Sequence, residues 1–178
     1  MTIGTRLLGL APLVSANTRL LILGSFPSVR SLAQQQYYAH PQNAFWRILQ
    51  SIWPSSAYPV GNGSYQDRCE WLLERGLGLW DVYASCERQG SLDANICDPV
   101  INNLEVLTQT CPGLRAIAHN GGESARHTRH SASLGLPVYR LPSTSPANAS
   151  WSFERKLAAW RLVMQACDLL PEPVNTEK

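Results

Sequence analysis

Two stretches of this chain concentrate side chains able to do chemistry. The first opens with Gly24-Ser25-Phe26-Pro27-Ser28 and continues through Gln34-Gln35-Gln36-Tyr37-Tyr38-Ala39-His40-Pro41-Gln42-Asn43-Ala44-Phe45-Trp46. Flat aromatics beside amides suit a planar heterocycle, which needs a face to stack on and an edge to hydrogen-bond. A plainer reading has Tyr37 and Tyr38 covering the end of a sheet and Asn43 capping the next helix. The loop is much longer than the about two to six residues usual between strand and helix, and such loops are often functional. The second stretch is Leu141-Pro142-Ser143-Thr144-Ser145-Pro146-Ala147-Asn148-Ala149-Ser150. Its hydroxyls on a proline-stiffened backbone suit phosphate oxygens, and an ordinary Ser/Pro turn would look the same. Between them, Asn120-Gly121-Gly122 is either an anion-binding nest at a helix start or a tight turn.

Missing motifs narrow the chemistry. There is no GxGxxG, P-loop, GxSxG or HExxH, which disfavours a dehydrogenase, a nucleotide hydrolase, a serine hydrolase and a zinc protease. Cys69, Cys86, Cys97, Cys111 and Cys167 form no CxxC pair and read as small buried thiols in a reducing compartment. No metal or cofactor is expected.

Four apolar runs that end in turn residues must position these loops: 19–25, 77–84, 114–119 and 137–141. Their hydrophobicity is nearly continuous, as in a parallel sheet covered on both faces. Helical patterns lie between them at 44–53, 65–75 (Ser64 as N-cap), 98–108 (Asp98 as N-cap, Pro99 at the first position), 122–131 and 153–170. The alternation predicts an α/β fold, a three-layer α/β/α sandwich around a central four-stranded, mainly parallel sheet. Ligands of such sheets sit beyond the carboxyl ends of the strands, where both stretches begin.

The chain has 178 residues, 44 % hydrophobic and 16 % charged, which excludes a disordered polymer. We read residues 1–170 as one domain and 171–178 as a flexible tail. Arg6 followed by Leu7–Val14 makes a poor signal peptide because Gly9 and Pro12 interrupt it, so a cytoplasmic monomer is expected. The net charge of +2 does not mark a nucleic-acid binder by itself. Lys appears only at 156 and 178, and the Arg bias this leaves suits phosphate contacts, as a GC-rich genome would also produce.

Taken together, these residues resemble the uracil-DNA glycosylase superfamily, and within it the hypoxanthine-DNA glycosylase branch. Gly24–Ser28 falls at the first family motif, and YYAHPQNAFW (37–46) resembles both that branch and mismatch-specific uracil-DNA glycosylases. LPSTSPANA (141–149) matches the second motif, and SLDANI (91–96) is also similar. The similarity spans about residues 19–165.

The resemblance implies a DNA glycosylase of base excision repair acting on deaminated bases, foremost hypoxanthine, in double- or single-stranded DNA. It places the catalytic Asn at Asn43 and an aromatic that stacks on the extruded base at Tyr38. The loop Ser143, Thr144, Ser145, Pro146, Ala147 and Asn148, together with His40, would engage DNA. Phe26 stands where mismatch-specific relatives hold an Asn, which leaves water positioning to Asn43. The base would be held by Gly24, Ser25, Phe26, Tyr38, Asp81 and Asn120. Main-chain amides near Ser25 and Phe26 would face O6. Asp81 would accept from N1–H, or else cap a turn. Alternatives are a uracil- or mismatch-specific enzyme of the same fold, a non-catalytic binder of damaged or single-stranded DNA, and a nucleoside or nucleotide enzyme.

Overall fold

The computed structural model describes residues 5–54 and 63–172. In chain order the strands are β1 (Arg6–Leu8), β2 (Leu20–Gly24), β3 (Leu77–Asp81), β4 (Tyr83–Glu87), β5 (Cys97–Ile101), β6 (Ala116–Asn120) and β7 (Val138–Leu141). The helices are α1 (Val29–Gln34), α2 (Phe45–Ile52), α3 (Tyr65–Glu74), α4 (Leu107–Thr110), α5 (Gly122–Ala125), α6 (Thr128–Ala132) and α7 (Phe153–Ala166). Four strands form a parallel sheet in the order β3-β2-β6-β7, flanked by helices.

Every residue of β2 is buried, and alternate side chains enter two different cores. Leu20 and Ile22 join α2, α3 and α7 on one face; Leu21 and Leu23 join Trp80, Leu104 and Leu107 on the other. Two-sided burial is why this strand reads as unbroken hydrophobicity, with no polar face to alternate against. Ser64 caps α3 as expected and forms a capping box with Asp67.

The expected helix over 98–108 is corrected. Residues 97–101 form β5, the edge of a second, antiparallel sheet in the order β1-β4-β5. Asp98 takes a left-handed φ of 45°, and the pairing with β4 slips between Ser85 and Glu87. Pro99 therefore occupies an irregular edge strand, where its missing N–H costs no ladder bond. The helical turns of this region start only at Leu104.

The expected strand 77–84 serves both sheets. It leaves the parallel sheet at Asp81 and enters the antiparallel one at Tyr83, the kink held by Val82 N–H to Gly24 O (2.8 Å) and Tyr83 N–H to Ser25 O (3.1 Å). Residues 122–131 break into α5 and α6, and the closing helix stops at Ala166, where Asp168 turns left-handed. The long first loop contains α1, capped by the Ser28 side chain. The apolar 6–14 stretch supplies β1 and a bridge from Leu13 to Leu79. Four of the cysteines are buried, but Cys97 is exposed on β5. Beyond Glu172, the expected tail lies outside the described residues. Among the described residues no helix is long and apolar enough to cross a membrane.

Candidate active site

The carboxyl ends of β2, β3, β6 and β7 open together into a cavity of about 940 Å³, lined by both loops singled out in the sequence. This is the switch point of the sheet, with β3 on one side of β2 and β6 and β7 on the other.

At the floor, Gly24 ends β2. A Cβ there would lie 2.5 Å from Asp81 Oδ1 and 3.5 Å from Tyr38 Oη, so only glycine lets these two groups converge. The kink after β3 turns the Asp81 side chain into this space. Burial, then the negative charge of Asp93, push the Asp81 carboxyl up to about 7, against the opposing pull of Arg88. The 3-10 turn Asp93–Asn95 brings Asp93 to the wall, where Ser25 Oγ donates to its Oδ1 at 2.6 Å. Partial desolvation at the wall raises the Asp93 carboxyl above its ordinary range, although the residue as a whole stays exposed. The carbonyls of Gly24 and Ser25 are taken by the kink, while the N–H groups of Ser25 and Phe26 donate to no protein acceptor among the described residues. The Phe26 ring, 7 % exposed, is packed in the second core with Arg88 over its face at 5.1 Å.

Tyr38 stands on a second wall in a left-handed backbone (φ 53°). Its ring stacks on Phe45, with centroids 4.0 Å apart, and Phe45 meets the fully buried Trp160 edge-on. The site aromatic is thus the end of a column rooted in the core. Tyr37 points away; its hydroxyl donates to Ala11 O at 2.8 Å.

Asn43 lies at the start of α2. Its Oδ1 accepts from Phe45 N–H at 2.9 Å, the capping contact of the plainer reading, and its own N–H donates to His40 O. A carboxamide oxygen has two acceptor sites, so this bond fixes the side chain and uses one of them.

Asn120 spends both amide hydrogens inside the protein, on Tyr38 Oη (3.2 Å) and Thr144 Oγ1 (3.0 Å), and its Oδ1 accepts from Thr144 N–H. Thr144 is 1 % exposed and its carbonyl accepts from Ala44 N–H. These two residues tie the loops to each other. The rest of the second loop is nearer solvent and braced from within. Ser143 Oγ accepts from Ser145 N–H, and Asn148 Nδ2 donates to Ser143 O. Pro146 and Ala147 are exposed, and His40 lines the rim, its Nδ1 accepting from Gln42 N–H.

Sequence reasoning missed three features of this cavity. Asp93 sits in the SLDANI segment, to which the resemblance assigns no role. Arg30 and Arg140 add positive charge to the lining. Trp151, just past the second loop, is an exposed aromatic on the rim with Arg155 against its ring at 4.3 Å. A large aromatic directly after a Ser/Pro loop was the available signal.

At its switch point the α/β sheet thus brings an aromatic, Tyr38, an amide, Asn43, and a buried carboxyl, Asp81, to one cavity, groups that suit a planar heterocycle. The model of the uracil DNA glycosylase superfamily matches residues 11–164, and the chain belongs to that family. It is 36 % identical over 152 residues to a hypoxanthine DNA glycosylase of Methanosarcina barkeri, covering 85 % of this chain and 94 % of that one. It is 34 % identical over 161 residues to a hypoxanthine DNA glycosylase of Methanosarcina acetivorans, covering 88 % and 97 %. A solution NMR structure from Methanosarcina acetivorans, described as a candidate uracil DNA glycosylase, superposes with a TM-score of 0.79 at 32 % identity, covering 92 % of this chain and 99 % of that chain.

Proposed function

We propose that this protein is a monofunctional DNA glycosylase that flips a deaminated base, foremost hypoxanthine, into the cavity and hydrolyses its N-glycosidic bond. The observation that carries this reading is that Tyr38, Asn43 and Asp81 open onto one cavity at the strand ends. A base must leave the stack to be reached there, which costs a few kcal/mol and least for a poorly paired lesion.

In this reading Tyr38 stacks on the base, while the free N–H groups of Ser25 and Phe26 and the Asp81 carboxyl meet its edge. The bond breaks dissociatively, negative charge developing on the base, and preorganised dipoles stabilise that charge without reorganising. Asn43 holds the attacking water by its amide oxygen. Asn120 and Thr144, closed off inside, position Tyr38 and the second loop. Ser143, Ser145, Asn148 and His40 face the DNA backbone together with Arg30 and Arg140. The enzyme works as a monomer in the cytoplasm on double- or single-stranded DNA, and no cofactor takes part.

The test is a set of duplexes carrying hypoxanthine, uracil, xanthine or ethenoadenine, incubated with purified protein and then treated with alkali to cleave abasic sites. Strand cleavage highest at hypoxanthine supports the reading. Cleavage highest at uracil moves the substrate to the alternative reading. Binding of every duplex without cleavage makes the protein a damaged-DNA binder.

A further inference from the structure

Asp81 is 4 % exposed, and its Oδ2 is the one buried side-chain atom without a hydrogen-bond partner among the described residues lining the cavity. A buried polar atom left unpaired is costly unless something completes it, and a charged one is costlier still. Among the described residues no ion pair neutralises the Asp81 carboxyl. Asp93, from the 3-10 turn, repels it. Arg88, after β4, attracts it, but among the described residues no ion pair joins the two: Arg88 gives Nη2 to Pro27 O, lies against Phe26, and leaves Nε and Nη1 without a hydrogen-bond partner. Tyr38, from the first loop, is a phenol whose ionisation burial pushes up, so it stays neutral, as does Tyr37 behind it. With burial as the largest influence and Asp93 next, the Asp81 carboxyl keeps its proton up to about pH 7. A carboxyl in that state presents O–H where the sequence reading placed an acceptor.

We propose that Asp81, whose carboxyl lines the cavity floor, is the acid of the reaction, donating its proton to an acceptor atom of the base as the base departs. The proposal rests on the reading of the cavity as the place where an excised base sits. The C1′–N bond breaks with its electron pair staying on the base, and the Asp81 proton passes to that base, which leaves neutral. Water held at Asn43 forms the new C1′–O bond and loses one proton to solvent, and solvent returns one proton to the Asp81 carboxylate. The sum is one water consumed, one free base and one abasic sugar. A purine suits this step because its ring nitrogens and exocyclic oxygen remain acceptors when the glycosidic electrons arrive. Tyr38 holds the ring flat and Gly24 gives Asp81 room beneath it.

The experiment is single-turnover cleavage of a hypoxanthine duplex between pH 5.5 and 9, with the wild-type protein, Asp81→Asn and Asp93→Asn. The wild-type rate should fall about tenfold per pH unit above roughly pH 7, as expected when one acid must be protonated. Asp81→Asn keeps the shape and a neutral donor but cannot titrate, so it should be slower at pH 6 and level to pH 9. Asp93→Asn removes the repelling charge, so its alkaline fall should begin at lower pH. Asp93→Asn also reports on the acid if Asp81→Asn does not fold. A wild-type rate that stays level from pH 7 to 9 overturns the proposal, as does an alkaline fall that persists in Asp81→Asn or stays in place in Asp93→Asn. If the wild type releases uracil and not hypoxanthine, the base assignment fails, and the same profiles on a uracil duplex decide the acid. Release of no base at any pH overturns both.

Discussion

Tyr38 makes two contacts that substitution can separate: its ring lies on Phe45 and its hydroxyl accepts from Asn120. A stacked base is worth about 1–3 kcal/mol, and one hydrogen bond about 1 kcal/mol net. Tyr38→Ala should therefore slow single-turnover cleavage by roughly tenfold to a hundredfold. Tyr38→Phe should slow it by less than about tenfold. Equal losses in the two variants would give the ring no role toward the base. Tyr38 and Asn43 were legible because residue types alone, planar ring and amide, announce what they can touch. Asp93 was not, since an Asp between Leu92 and Ala94 on an exposed turn looks like solvent-facing charge. Only the closed turn brings it to Ser25 Oγ at 2.6 Å. Thr144 shows the converse. Its type suggested phosphate, yet its neighbours Asn120 and Ala44 consume its polar groups inside the protein.

The tie between the two loops makes the site a product of elements and not of single side chains. Removing the Asn120 amide strands Thr144 N–H in a buried setting, at about 1–3 kcal/mol. Asn120→Ala should lower the Tm by several degrees, raise amide exchange across 141–150, and weaken cleavage though Asn120 need not touch the base. Unchanged exchange in that loop would detach the two elements. On the far side of the loop, Trp151→Ala should cost more on a paired lesion than on the same lesion in single strands, because only the duplex offers a stack to break into. Loss of the same size on both would make Trp151 a packing residue. Three of the parallel strands, β2, β3 and β6, were readable because two-sided burial leaves a largely apolar signature, as in Leu20–Gly24. The antiparallel sheet was not. Asp98-Pro99 satisfies the rule for a helix start and also that for an irregular edge strand, and only pairing with β4 decides between them.

At the scale of the whole molecule, the parallel sheet is tied to α5 and α6 through His119, which is fully buried on β6. Ser124 Oγ donates to Leu23 O, so it accepts from His119 Nδ1–H, and His119 Nε2 accepts from Ser131 Oγ–H. Burial pushes the imidazole down to about 4, the nearby His127 adding to it. The unfolded chain then binds this proton at higher pH than the native one. Stability from His119 is complete above about pH 6.5 and falls as pH drops toward 4, by up to about 3 kcal/mol. Asp81 slopes the other way. Its native proton is held more tightly, so its contribution is present below about pH 4 and lost as pH rises through 7. Urea midpoints of wild type and His119→Gln at pH 7, 6, 5 and 4 isolate the first effect: the wild type should lose ground to the variant as pH falls, and parallel curves would contradict it. The account's central claim is that the cavity hydrolyses a glycosidic bond with Asn43 holding the water. It is tested most directly by the free base released from a duplex with one hypoxanthine, quantified by mass spectrometry beside the abasic sites formed, for wild type and a folded Asn43→Ala. Equimolar base and abasic site from the wild type, with a rate at least about 100-fold lower in Asn43→Ala at unchanged DNA binding, is the expected result. Equal release by both proteins would contradict it.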